Sequence, residues 1–130
     1  MLGVFLLIIG FFMVNQIIFG FYQKRHSFFE KKKMNLLYLY HLVFFAVYLW
    51  YANNNASDSR GYFNFLLRYN GGWLETFGTD TKFINFLSYP FYSVGFSYEM
   101  LMLTFTWFGF LGFMYAYMFF RELIPIKINV

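Results

Sequence analysis

Three stretches of this chain run for about twenty residues with almost no charge, and such runs leave a polypeptide few ways to fold. The first covers residues 2–22 and is broken only by Asn15 and Gln16. The second covers about 34–52, with His41 a third of the way along, and the third about 98–120. Twenty residues of helix at 1.5 Å each span about 30 Å, the thickness of a bilayer's hydrocarbon core. In that core every peptide N–H and C=O must be satisfied within the segment, which selects the α-helix. Only 12% of residues are charged, against about a quarter in soluble domains, so water is the wrong solvent for most of the chain. The expectation is an all-α integral membrane protein, one membrane domain over residues 1–130, with three transmembrane helices. No Lys or Arg precedes the first run, the run exceeds a signal peptide's apolar region, and no small-x-small site follows it. It therefore reads as a retained helix.

The net charge of +4 and pI near 9.3 come largely from one short segment holding Lys24, Arg25, Lys31, Lys32 and Lys33. A basic turn between two spans is a topology signal rather than a nucleic-acid patch, since such turns stay in the cytoplasm. That places the N-terminus outside and the residues after the third span, with Arg121 and Lys127, in the cytoplasm. Trp50 and Tyr51 mark the outer interface. The chain has no cysteine, which removes disulfides, thiolate metal sites and thiol nucleophiles.

Residues 53–97 form a segment too long for a passive turn and too aromatic for disorder, and the topology puts it outside. Two short interfacial helices are predicted within it. One runs from Ser59 to about Tyr69, opened by Asp58 or Ser59 as a cap and stopped at Asn70-Gly71-Gly72. The other runs from Thr81 to about Ser88, opened by Asp80 and ended before Pro90. Glu99 stands where a helix N-terminus favours a carboxylate. The Asn53-Asn54-Asn55 run carries no evident role, and Asn55-Ala56-Ser57 matches a glycosylation pattern that is frequent by chance.

Chemistry-bearing residues are few. Asp58-Ser59-Arg60-Gly61-Tyr62 places a carboxylate and a guanidinium just after a span. Asp58 can serve as general base towards a sugar hydroxyl or offer oxygens to a divalent metal, and Arg60 and Arg68 can grip phosphate bidentately. A helix there brings Arg60, Asn64 and Arg68 onto one face at i, i+4 and i+8. The plainer alternative makes Asp58 a cap and the arginines interfacial anchors. His41 is an ionisable group inside a span, and Asn15 and Gln16 are its expected hydrogen-bonding partners across helices. No phosphate loop, metal-ligand pair, nucleophile elbow or nucleic-acid module is present, and no cofactor is expected.

The order of features resembles the start of polytopic bacterial exopolysaccharide and O-antigen polymerases, and more loosely membrane glycosyltransferases with polyprenyl-linked donors. The likeness rests on two helices around a basic turn, on the Asp-x-x-x-Tyr element Asp58 to Tyr62 early in a first long outer loop, and on the Lys82-Phe83-Ile84 to Tyr89-Pro90-Phe91 segment. The resemblance implies a bacterial inner-membrane location and a polyprenyl-diphosphate sugar as partner. It assigns Asp58 and Arg60 to catalysis and Tyr62 to substrate binding, and Arg68 joins Tyr62 there on its own chemistry as a phosphate ligand. Three aromatic spans then read as the first part of a larger bundle that meets lipid and further helices. The alternatives are a small non-catalytic accessory or scaffold protein, and a transporter fragment in which His41, Asn15 and Gln16 line a polar path. Because the chain lacks cysteine, single substitutions Lys32→Cys and Asp58→Cys test the orientation directly. An impermeant maleimide should label the second in intact cells and the first only after permeabilisation; labelling of both from one side would reverse it.

Overall fold

The computed structural model describes residues 2–124. It is helical throughout: α1 (Leu2–Arg25), α2 (Lys31–Asn54), α3 (Asp58–Arg68), a 3₁₀ turn (Trp73–Thr76), α4 (Thr81–Ser93) and α5 (Tyr98–Leu123). Three of these, α1, α2 and α5, are long and apolar enough to cross a membrane, with 24, 24 and 26 residues. They fit an integral membrane protein. Each extends a few residues beyond its apolar run, because the hydrogen-bond ladder continues while Lys24, Arg25 and Lys31 carry their charges outward on flexible stems.

α1 and α2 form a hairpin through residues 26–30, where the His26 amide closes onto the Tyr22 carbonyl at 2.9 Å and the Phe29 amide onto the His26 carbonyl at 3.0 Å. α5 lies against both. Its inward stripe of Leu103, Phe110, Met114 and Met118 recurs at the three-to-four-residue spacing that keeps one face on its neighbours. Phe110 and Met114 are fully buried among Phe19 of α1 and Met34 and Tyr38 of α2. The ring of Phe19 meets Phe110 edge-on at 6.1 Å, and Tyr38 meets it at 5.3 Å. Aromatic edges and thioethers fill this interior where a soluble bundle would use aliphatic residues. The remaining faces of all three helices are apolar and exposed, as lipid solvation requires.

A few polar bonds fix the helices in register. Asn15 is fully buried and accepts from Trp107 Nε1 at 2.9 Å, while the Trp107 ring lies flat on Phe11 at 4.4 Å. Gln16 donates to Asn35 Oδ1 at 2.8 Å, and the Tyr38 hydroxyl donates to the Ile8 carbonyl at 3.3 Å. At the end of the bundle where α1 and α5 finish, His26 Nδ1 lies 3.1 Å from Glu122 Oε1.

These contacts correct the expectation that Asn15 and Gln16 partner His41. Adjacent helical residues point about 100° apart, so Asn15 faces α5 and Gln16 faces α2. The Nδ1 of His41 is engaged instead by the Leu37 carbonyl of its own helix at 2.9 Å, and its ring sits against Phe110 and Phe113. The three residues therefore do not line one polar path.

Two further expectations are corrected in the segment between α2 and α5. The first concerns the helix predicted to stop before Pro90, since α4 continues through it to Ser93. Proline lacks the N–H that would bond four residues back, which orphans the Phe86 carbonyl. The Trp73 indole supplies the missing donor, its Nε1 standing 2.9 Å from Phe86 O while its ring stacks on the Phe86 ring at 5.0 Å. A donor from another element thus lets the helix pass a residue that normally ends one. The second concerns capping. Ser57 occupies the position before α3, so Asp58 lies in the first turn and not at the cap; Asp80 stands as expected directly before α4, with φ 54° and no side-chain bond to the helix. Both acids act on the helix N-termini through charge alone.

Trp107→Phe should strip the buried Asn15 side chain of the one hydrogen bond it makes among the described residues. A loss of about 1 kcal/mol in detergent is expected, with the Asn15→Leu, Trp107→Phe double variant recovering part of it, as read from thermal unfolding. A stable single variant would show that the bond does not hold α1 to α5.

Candidate functional site

The site is built where α2 ends and α3 begins. The last carbonyls of a helix have no partner within it. Here Arg60 Nε supplies a donor to Ala52 O at 2.8 Å, while Asn54 Nδ2 adds a donor to Trp50 O at 2.7 Å and Asn55 Nδ2 a second donor at 3.0 Å to Tyr51 O, which already accepts the Asn55 amide at 2.9 Å. Asn53 completes the arrangement by accepting from the Arg60 guanidinium through Oδ1. The Asn53-Asn54-Asn55 run, which showed no role in the sequence, is the seal of a helix end.

Arg60 does more than cap. Its guanidinium carbon lies 4.6 Å over the ring of Tyr98, the first residue of α5. Beside it, Ser59 Oγ gathers three hydroxyls, with Tyr48 at 2.8 Å, Tyr98 at 2.7 Å and Ser57 at 3.1 Å. A serine hydroxyl offers one donor and two acceptors, so this set uses its full capacity. One short segment, residues 57–60, thereby ties α2, α3 and α5 together.

α3 has two faces. Its inner stripe, Ser59, Tyr62, Phe63 and Leu66, packs towards α4 and α5; Phe63 lies edge-on to Tyr92 at 6.0 Å and to Tyr98 at 5.8 Å, and Leu66 is buried. Tyr62 also lines a small apolar cavity of about 220 Å³ with Ser88, Leu101 and Phe105. Its outer stripe carries an open groove of about 390 Å³ lined by Gly61, Asn64, Phe65, Arg68 and Tyr69. Phe65 and Tyr69, one turn apart, stack at 5.2 Å and 24°. Gly61 leaves a gap with nothing within 4 Å of where its side chain would stand. Asp58, Gly61, Phe65 and Arg68 recur every three or four residues, so the exposed Asp58 carboxylate stands on this same stripe, about 15 Å along the axis from Arg68.

The Tyr69 phenol closes one end of the groove, bonding Glu75 Oε2 at 3.2 Å and the Gly72 carbonyl at 3.3 Å. Partial desolvation, with the Glu75 carboxylate second, holds its pKa above the usual 10.0. A Cβ at Gly71 would fall 2.3 Å from the phenol oxygen and 2.5 Å from Glu75 Oε2, so a larger residue there would displace both side chains. Tyr89 of α4 braces the turn by donating to the Gly71 carbonyl at 3.2 Å.

The predicted residues are thus divided. Asn64 and Arg68 share a groove, but Arg60 is drawn back to the end of α2 and does not join them in one basic strip; a free carbonyl and an aromatic face two turns away compete successfully for its guanidinium. Asp58 and Arg60 form no salt bridge. Among the described residues, no three His, Cys, Asp or Glu side chains gather as a metal site. His41 lies apart in the bilayer-spanning region, lining an apolar groove with Leu37, Tyr40, Phe44 and Phe113. Tyr48, Tyr98, Tyr69 and Phe65 were not singled out in the sequence. Of these, only the Phe65 and Tyr69 pairing was signalled there, by its four-residue spacing. Comparison with protein-family models, with curated proteins and with solved structures yields no match.

Arg60→Ala should loosen the junction. A cost of about 1–2 kcal/mol is expected from the lost charged hydrogen bonds and ring contact, with faster amide exchange over residues 55–60. Asp58→Asn, at an exposed position without a partner, should change stability by less than about 0.5 kcal/mol. Equal effects of the two substitutions would show that Arg60 does not clamp the helices.

Proposed function

We propose that the chain is the membrane module of an envelope polysaccharide polymerase or polyprenyl-sugar-dependent glycosyltransferase of the bacterial inner membrane. In this reading the basic end of the bundle faces the cytoplasm, and α3 and α4 lie at the outer surface, where they receive the sugar-phosphate end of a lipid-linked substrate. The observation that carries the reading is the groove on α3, which sets a guanidinium, an amide and a stacked pair of rings along one open stripe at the end of the bundle opposite the lysines. Each component has a matching chemistry. Arg68 suits the diphosphate, because its planar fork meets phosphate oxygens two at a time. Phe65 and Tyr69 offer apolar faces to a sugar ring, and Asn64 offers both a donor and an acceptor to hydroxyls.

In this reading Asp58, at the start of the same stripe, takes the proton of an acceptor hydroxyl. That oxygen would form the new bond to the anomeric carbon as the bond to the diphosphate breaks, the diphosphate leaving with the electron pair. Arg60 has a positioning role, since its guanidinium is committed to Ala52, Asn53 and Tyr98 and holds the start of α3 in place. Tyr62 packs inward and supports the same helix.

A non-catalytic accessory role draws on one observation: among the described residues no three His, Cys, Asp or Glu side chains gather at Asp58 or elsewhere. The two readings separate by substitution in the intact protein. Arg68→Ala should weaken binding of a short-chain prenyl-diphosphate sugar by about tenfold or more, the worth of one charged hydrogen-bonding group. Asp58→Asn should keep that binding and abolish surface polymer. Wild-type polymer with Asp58→Asn would favour the accessory role, and unchanged binding with Arg68→Ala would end the glycosyltransferase reading.

A further inference from the structure

The end of the bundle remote from α3 carries a surface feature of its own, one that does not depend on the function proposed above. Along the outside of α1 two columns of side chains descend turn by turn: Gln16, Gly20 and Lys24 in one, Ile17, Phe21 and Arg25 in the other. Together they line a groove of about 530 Å³. Its floor exists because Gly20 has no side chain, and nothing else fills the space, since no atom lies within 4 Å of a Cβ built there. Gln16 closes the upper end, held away by its bond to Asn35 at 2.8 Å. Ile17 and Phe21 give an apolar wall, and the Arg25 guanidinium rests over the Phe21 ring at 3.9 Å, which directs its charge across the lower end beside Lys24.

The charge at this end is unbalanced in a particular way. Both nearby carboxylates are engaged elsewhere, Glu30 with Lys33 at 2.5 Å and Glu122 with His26 at 3.1 Å. Lys24 and Arg25 make no salt bridge among the described residues. A groove whose wall is apolar from Ile17 to Phe21, a little over one turn, and then cationic at Lys24 and Arg25, where a spanning helix leaves the hydrocarbon, matches an amphiphile of the same polarity: the first part of an acyl chain ending in a phosphate.

We propose that this groove is a specific binding site for an anionic glycerophospholipid, one acyl chain lying over Gly20 between Ile17 and Gln16 and the headgroup phosphate held between Lys24 and Arg25. A diffuse positive belt would attract anionic lipid through charge alone. A specific site also needs the gap at Gly20, and that difference makes it testable.

The test is native mass spectrometry of the full chain released from detergent micelles doped with phosphatidylglycerol or with phosphatidylcholine. The wild type should retain phosphatidylglycerol in preference, and the Lys24→Ala, Arg25→Ala double variant should bind it about thirtyfold more weakly. Gly20→Leu keeps every charge, starts from a Cβ that meets no neighbour within 4 Å and favours the helix, so the variant should fold, as helical circular dichroism would verify. It should nevertheless hold phosphatidylglycerol several-fold more weakly than the wild type, keeping only the preference over phosphatidylcholine that Lys24 and Arg25 supply through charge. Inorganic phosphate at millimolar concentration should not displace the lipid, because the chain contributes to binding. Undiminished binding by folded Gly20→Leu, equal retention of the two lipids by the wild type, or displacement by inorganic phosphate would each overturn the proposal.

Discussion

Oil offers a peptide group no hydrogen bond, and the architecture of this protein can be traced from that fact. The three long helices satisfy their own backbones over their length, so the demand falls on their ends and on any place where the ladder is broken. At the end of α2, the carbonyl of Ala52 receives the Arg60 side chain, and Asn54 and Asn55 add their amides to the carbonyls of Trp50 and Tyr51. Inside α4, the carbonyl that Pro90 leaves orphaned receives the indole of Trp73. In both places a polar side chain is committed to the main chain, and in both the bond also fixes how neighbouring elements sit. Arg60 carries α3 back against α2 and α5, and Trp73 pins the 3₁₀ turn to α4.

Packing between the long helices obeys a different logic, because lipid tails compete equally for apolar surface and burial alone does not drive helices together. What remains is close contact and a small number of polar bonds. α5 provides the contact surface with Phe110 and Met114, which meet Phe19, Met34 and Tyr38. Asn15 with Trp107 and Gln16 with Asn35 supply the polar bonds. Because these bonds join specific turns of specific helices, they set register, which the interchangeable phenylalanines of the outer faces cannot do.

The separation of roles on α3 has a functional consequence. Its inner stripe and first turn are occupied with holding the helix to α2, α4 and α5. Its outer stripe, with Asn64, Phe65, Arg68 and Tyr69, is left open. A binding surface needs a rigid support whose own side chains are not consumed in providing that support. Here the division is made by helical periodicity: Ser59 and Tyr62 look one way, Gly61 and Phe65 the other. Arg60, on the boundary, is captured by the support.

Much of this is legible in the order of residues. Apolar length alone gives the three spans, since bilayer thickness and helical rise allow one answer for runs such as residues 2–22. Turn residues place α3 within a residue or two, because Asn70-Gly71-Gly72 cannot continue a helix. The tertiary structure decided how the scarce polar groups are shared. His41 could not be matched to its true partner from sequence, because the Leu37 carbonyl and the Asn15 amide compete for such a group and only the facing of the helices selects one. Pro90 read as a helix stop because its rescue comes from Trp73, which lies seventeen positions away in the chain. Arg60 read as a partner of Asp58 and of phosphate, but the end of α2 lay closer and bound it. Local energetics fix where helices form. Which polar side chain meets which orphaned group depends on distances that exist only once the helices have packed.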